Sequence, residues 1–106
     1  MEWQSGNVFI RPNTLKIAGE FTDGHEHNFD HTTIVFTGSV RVEAVYPDGK
    51  TRTQEFYAPA HFLVKAHAHH KIIALEDNTV FWCVYSHRNA QGEVTTQNIG
   101  WTAAYV

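Results

Sequence analysis

The chain has a single cysteine in 106 residues, no basic block, no apolar run long enough to cross a membrane, and hardly any helical period. Each absence excludes something. Cys83 alone cannot close an internal disulfide, and within the apolar run VFWCVY it reads as a buried thiol in a strand. Eight Lys and Arg against eleven Asp and Glu give a formal charge of -3, with no cationic cluster to compete for a phosphate backbone or an anionic membrane surface. Neither nucleic acid nor membrane is therefore expected as a partner. No stretch reaches the roughly 18 apolar residues of a membrane span, and MEWQSGNVFIRPN has neither the basic leader nor the apolar segment of a signal peptide. A cytoplasmic location follows as the expectation. Internal repeats and low-complexity segments are also missing.

What is there suits one globular unit. Seven Phe and three Trp supply bulky core side chains, and a chain of this size removes roughly 60 to 70% of its extended surface from water on folding. A single domain over residues 1–106 is expected.

Strand signals run through nearly all of it. Residues 8–11 (VFIR) and 15–21 (LKIAGEF) read as short strands, and TTIVFTGSVRVEAVY then alternates, with Ile34 and Phe36 on one face and Val40, Val42, Ala44 and Tyr46 continuing the parity. Gly38 interrupts that run, where a bend, bulge or change of sheet is expected. PDGK at 47–50 is a hairpin turn signal, and TRTQEFY at 51–57 is the returning strand. AHFLVKAHA, HHKIIAL and VFWCVYS supply further strands, EDNT and RNAQGE supply turns, and VTTQNIG supplies a last strand. The closing WTAAYV, 101–106, reads as an edge strand or an interface tail. Many short strands at this spacing predict an all-β sandwich or barrel.

The histidines carry the chemistry. Three of the eight fall within residues 25–31 and three within 67–70, with His61 and His87 outside. Neutral imidazole is a good ligand for first-row divalent metals. In an extended strand, residues two apart share a face at about 6.5 Å, so His25 and His27 are able to converge, and His31 keeps their parity. Ligands from one segment cannot enclose an ion, so the second cluster is the source of another, with His67, His69 and His70 all eligible. His61 and His87 read more simply as a solvent-facing residue and a strand-end residue.

The spacing resembles that of the cupin family. Its first motif runs glycine, five residues, His-X-His, three or four residues, Glu, six residues, glycine. Here Gly19, EFTDG, His25, Glu26, His27, NFD, His31, TTIVFT and Gly38 keep that spacing throughout, with His31 in the place of the glutamate. In the second motif His70 stands before KIIAL, Pro59 replaces the opening glycine, Lys65 and His67 occupy the proline and second glycine positions, and Ala74 replaces the closing asparagine. The resemblance, spanning roughly residues 15–88, implies a cupin-type double-stranded β-helix, a jelly-roll barrel. It also implies metal ligands His25, His27, His31 and His70, similar to the four-histidine manganese-binding cupins, with Asp30 as the alternative to His31.

One divalent ion per chain is then expected, Mn(II) or Fe(II) first and Zn(II), Ni(II) or Cu(II) as alternatives. Four neutral imidazoles would leave its charge uncompensated and favour an anionic or chelating oxygen ligand. Phe29, Phe36, Phe56, Phe62, Ile72 and Trp82 are the candidate inward residues of a pocket for a small, partly apolar molecule. The function expected from the resemblance is a dioxygenase-type oxidoreductase acting on a small enolisable or chelating substrate. Glu26, Asp30 and His69 are the nearest general-base candidates. The alternatives are a non-redox isomerase or decarboxylase and a small-ligand-binding or metal-stabilised structural module. Exposed strand edges point to a homodimer.

Overall fold

The computed structural model describes residues 2–25, 27–86, 88–91, 93 and 94, and the backbone alone at residues 23–25. Among the described residues nine strands form two antiparallel sheets. These are β1 (Trp3–Ser5), β2 (Val8–Leu15), β3 (Phe21–His25), β4 (His31–Thr37), β5 (Ser39–Val45), β6 (Thr51–Tyr57), β7 (Ala60–Val64), β8 (His69–Ala74) and β9 (Thr79–Ser86). The larger sheet has the order β1-β2-β9-β4-β7 and the smaller β3-β8-β5-β6. The result is an all-β fold of two sheets resembling a cupin jelly-roll. Among the described residues there is no helix long and apolar enough to cross a membrane.

Alternation decides what faces inward. On β4, His31, Thr33 and Val35 are buried; on β8, His70, Ile72 and Ala74; on β9, Phe81. These residues meet Leu15, Val40, Phe62 and Val64 between the sheets, where the apolar members form one core cluster.

The bend expected at Gly38 is a change of sheet, because β4 belongs to the larger sheet and β5 to the smaller. Gly38 has φ +79°, and a Cβ there would collide with the Thr79 hydroxyl and lie 2.8 Å from the Thr79 Cα. This crossing reverses the parity that the sequence implies. Val40, Val42, Ala44 and Tyr46 do look inward, with Val40 wholly buried and the other three lining a cavity. Phe36, by contrast, is 45% exposed and packs at 4.7 Å on Trp82 outside the larger sheet, where Trp3 meets the same indole at 5.3 Å. The inward assignments of Phe36 and Trp82 are corrected accordingly: Trp82 alternates with Phe81 and Cys83, which line the interior.

Two strand boundaries also differ. β2 continues through Pro12 to Leu15, whereas residues 16–20 form a turn and not a strand. Proline is tolerated there because β1 pairs only with Val8 to Ile10, leaving β2 without a neighbour on that side at Pro12. The residue 16–20 turn is held by Asp77, whose carboxylate accepts from the Ala18 N–H at 2.8 Å, and by Glu20, which accepts from the Ile17 N–H at 2.8 Å. The expected VTTQNIG strand, apart from Val94, and the WTAAYV tail lie outside the described residues.

Gly38→Ala should lower unfolding stability by about 2 to 4 kcal/mol, since both the positive φ and the contact with buried Thr79 oppose a methyl group. A urea titration that shows less than about 0.5 kcal/mol of loss would overturn this account of the sheet crossing.

Candidate metal and substrate cavity

Three of the four histidines singled out by spacing come together at one end of the interior. His31 opens β4 at 4% exposure, and His70 lies on β8 at 2%. Their ring centroids are 5.5 Å apart, and the His27 ring lies 5.1 Å from that of His31. The fourth, His25, is paired with His70 in the β3–β8 register, directly across the ladder. A second tie joins the two histidine-rich segments: the His67 N–H donates to the His27 carbonyl at 2.7 Å.

Local sequence explains the selection. Along HHKIIA every second residue is buried, so His70 turns inward with Ile72 and Ala74, while His69 is exposed. His67 is exposed and takes φ +63° in the turn before β8. The structure thus sets His70, rather than His67 or His69, beside His31. Asp30 does a different job. Its carboxylate accepts from the Ala66 N–H at 2.7 Å and lies 3.9 Å from the Lys65 ammonium, fastening the β3–β4 loop to the β7–β8 turn. Neither Asp30 nor His69 lines the histidine cavity. Glu26 lies outside the described residues, as does His87.

The cavity measures about 420 Å³ and is lined by His27, His31, His70, Arg11, Asn13, Thr22, Ile72, Phe81, Cys83 and Tyr85. Arg11, Asn13 and Tyr85 are additions that spacing arguments did not select. Their signal was alternation: Arg11 and Asn13 share the parity of core Leu15 on β2, and Tyr85 shares that of Phe81 on β9. Arg11 is exposed at the cavity rim and is the cross-strand partner of Cys83. Tyr85 stacks on Phe9 at 5.4 Å, and burial, reinforced by the Glu2 carboxylate, raises its phenol pKa.

The donor chemistry fits a divalent ion. Two imidazoles ligating one ion through bonds of about 2.1 Å have centroids roughly 4.5 to 5.5 Å apart, which is the spacing found here. At His70 the Nδ1 atom lies 3.4 Å from the Ala68 carbonyl oxygen. In the tautomer that donates from Nδ1 to this carbonyl, Nε2 would carry the lone pair available to a metal. As they stand, no group of three or more His, Cys, Asp or Glu side chains among the described residues is placed to hold a metal ion.

No protein-family model matches the sequence, and no curated protein matches it. Solved structures do share the fold. A Bacillus subtilis oxalate decarboxylase variant is similar with a TM-score of 0.69 and 23% identity, over 78% of this chain and 22% of that one. Lactobacillus farciminis oxalate decarboxylase in its formate complex gives 0.69 and 23%, over 78% and 24%. A second B. subtilis variant gives 0.70 and 21%, over 89% and 24%. The chain spans less than a quarter of the length of those enzymes.

The expectation of a dioxygenase-type oxidoreductase is overturned at this point, because the solved structures named above, which share the fold, are decarboxylases. The physical reason for the error is that imidazole ligands hold redox and non-redox metals alike. A ligand spacing therefore carries no information on whether electrons leave the substrate.

Cys83 faces this cavity, as a strand thiol should. Burial raises its pKa, against smaller opposing effects of the Thr33 hydroxyl, 3.8 Å away, and the Arg11 charge. The folded chain therefore holds the thiol proton more tightly than the unfolded chain does. That contribution to stability is whole below the unfolded value of about 8.5 and is lost as pH rises through the higher folded value. Denaturant titrations should show an alkaline loss that Cys83→Ala reduces, and a disulfide reagent at pH 8 should label the native thiol about tenfold or more slowly than the urea-unfolded one. Equal labelling rates would contradict the burial argument.

Proposed function

We propose that the chain is a metal-dependent, non-redox decarboxylase of a small carboxylic acid, with His25, His27, His31 and His70 holding one divalent ion, Mn(II) or Fe(II) first. The observation that carries this reading is the presence of an imidazole group and a guanidinium, Arg11, on the walls of a single cavity. The decarboxylases that share the fold supply the reaction class, and oxalate is the first substrate to test. A bound divalent ion supplies a Lewis acid able to polarise a substrate oxygen.

The chain's own residues account for the rest. Arg11, at the rim, attracts the anionic substrate and offers paired N–H donors to its carboxylate. Ile72 and Phe81, both buried, present an apolar wall deeper in. A carboxylate moved from water toward such a wall loses hydration, whereas the carbon dioxide released when its C–C bond breaks needs none; the electron pair left on the remaining carbon takes up a proton from solvent. Asn13 and Thr22 add polar contacts that orient the remaining part of the molecule.

The protein should bind Mn(II) at one per chain by calorimetry and elemental analysis, with His31→Gln and His70→Gln each weakening it about 100-fold or more. The loaded protein should release carbon dioxide from oxalate or a 2-oxo acid, and Arg11→Gln should raise KM about tenfold. Metal binding without turnover on any small carboxylate would sink the decarboxylase reading and leave a binding module.

The partner proposed for the outer face of the larger sheet is a second copy of the chain. Trp3 is 43% exposed there beside Trp82 and Phe36, an apolar surface that an isologous contact would cover. Sedimentation equilibrium should give a dimer at micromolar concentration and a monomer for Trp3→Glu with Phe36→Glu. A wild-type monomer at that concentration would reject the pairing.

A further inference from the structure

A second cavity, of about 370 Å³, opens on the other side of His70. His70 is the one residue, among those described, that lines both. The space lies between β6 and β7, the last strands of their respective sheets, which no hydrogen-bonded ladder joins among the described residues. β5 supplies one wall through Val42 and Ala44.

The cavity is chemically graded along its length. Near the β6–β7 turn it is aromatic: Phe56 and Phe62 stack with centroids 4.3 Å apart and rings inclined by only 19°. At the far end it is cationic, with Arg52 at the start of β6 and Lys65 just past β7. Arg52 and Phe56 are four positions apart on one strand face, about 13 Å along the strand. Among the described residues no carboxylate lines the space. Lys65 already lies 3.9 Å from Asp30, whereas Arg52 has no ion-pair partner among the described residues. Gln54, Tyr46 and His70 are the other polar side chains that line it.

We infer that this cavity binds an amphipathic monocarboxylate, its hydrocarbon chain on Phe56 and Phe62 and its carboxylate at Arg52, with Lys65 alongside. The length favours an extended chain of about eight carbons, and the volume falls at the small end of the roughly 300 to 1,000 Å³ usual for small-molecule sites. An apolar floor holds such a ligand by removing its hydrocarbon from water, and a planar guanidinium matches a carboxylate through two parallel hydrogen bonds. An amine of equal length meets two like charges at the mouth and is disfavoured. This inference stands apart from the metal site and the decarboxylase reading.

Octanoate titrated into the full chain in the presence of a metal chelator tests it, so that failure of metal binding has no bearing on the result. Calorimetry should show saturable one-to-one binding, octylamine should bind at least tenfold more weakly, and butyrate should not saturate. Arg52→Gln should weaken octanoate about tenfold while leaving octanol unchanged. Arg11→Gln should have no effect. Ala44→Leu should abolish binding by filling the cavity. In the wild-type protein, amide resonances of residues 52–65 should shift on octanoate addition while those of Arg11 and Asn13 stay still, a readout that does not depend on any variant folding. No saturation at millimolar octanoate, equal affinity for octylamine, or shifts centred on Arg11 and Asn13 would each overturn the inference.

Discussion

The close approach of Gly38 to Thr79 lets one continuous apolar stretch face inward from two different sheets. Its backbone comes so near Thr79 that no side chain fits, and the Thr79 hydroxyl is meanwhile held by the Glu76 and Ser39 carbonyls at 2.9 and 3.3 Å. Ser39 fixes the other side of the crossing, its hydroxyl donating to the Glu76 carboxylate at 2.7 Å. With the chain pinned there, odd residues of β4 and even residues of β5 both point between the sheets. A crossing shifted by one residue would exchange buried for exposed side chains along one of the two strands. Both cavities depend on it, because His31 belongs to the first strand and the Val42–Ala44 wall to the second.

That interior is not uniform. Its middle is the apolar cluster of Val35, Val40, Ile72, Ala74 and Phe81. Toward one end, polar groups take over the inward positions, Asn13, His27, His31 and His70, with Arg11 exposed at the rim. Burying imidazole beside imidazole gains little from the hydrophobic effect, and polar groups placed in an interior reduce stability unless they are satisfied. Such a placement is usual where a site needs the groups more than the fold does. On the far side of His70 the Phe56–Phe62 stack restores an apolar lining. One side chain thus stands between a chamber that holds the other imidazoles and one that runs from an aromatic stack to two cations.

Much of this was legible in the sequence. The all-β class, the hairpin turn at 47–50, the sheet change at Gly38 and the inward β8 face all follow from alternation and turn chemistry, which are local. The convergence of His27, His31 and His70 is expected from the resemblance of their spacing to the cupin motifs; strand parity alone fixes His31 on β4 and His70 on β8, whereas His27 lies in the β3–β4 loop. The errors arose where a local pattern was interrupted by something distant. Phe36 and Trp82 look like core residues by type, yet a change of sheet decides their face. Pro12 looks like a strand end, yet the shortness of β1 lets the strand continue. Arg11 was overlooked because a charged residue in a short strand reads as solvent-facing until its parity is set against that of Leu15.

The reaction class was the least legible, and the reason lies in charge. Neutral imidazoles leave a divalent ion its full charge, so any chemistry at such a centre begins with an anionic oxygen donor, whether or not electrons later leave the substrate. Discrimination must come from the walls. Here they offer a guanidinium at the rim and hydrocarbon within, the pairing on which the proposed carboxylate substrate rests. In the proposed reaction, loss of carbon dioxide would free the departing group from its need for hydration, while the electron pair of the broken C–C bond stays on the remaining fragment and takes up a proton from solvent. The lining therefore bears on the proposed reaction as directly as the imidazoles do, since Arg11, Ile72 and Phe81 separate a carboxylate substrate from other anionic oxygen donors that the same histidines would accept.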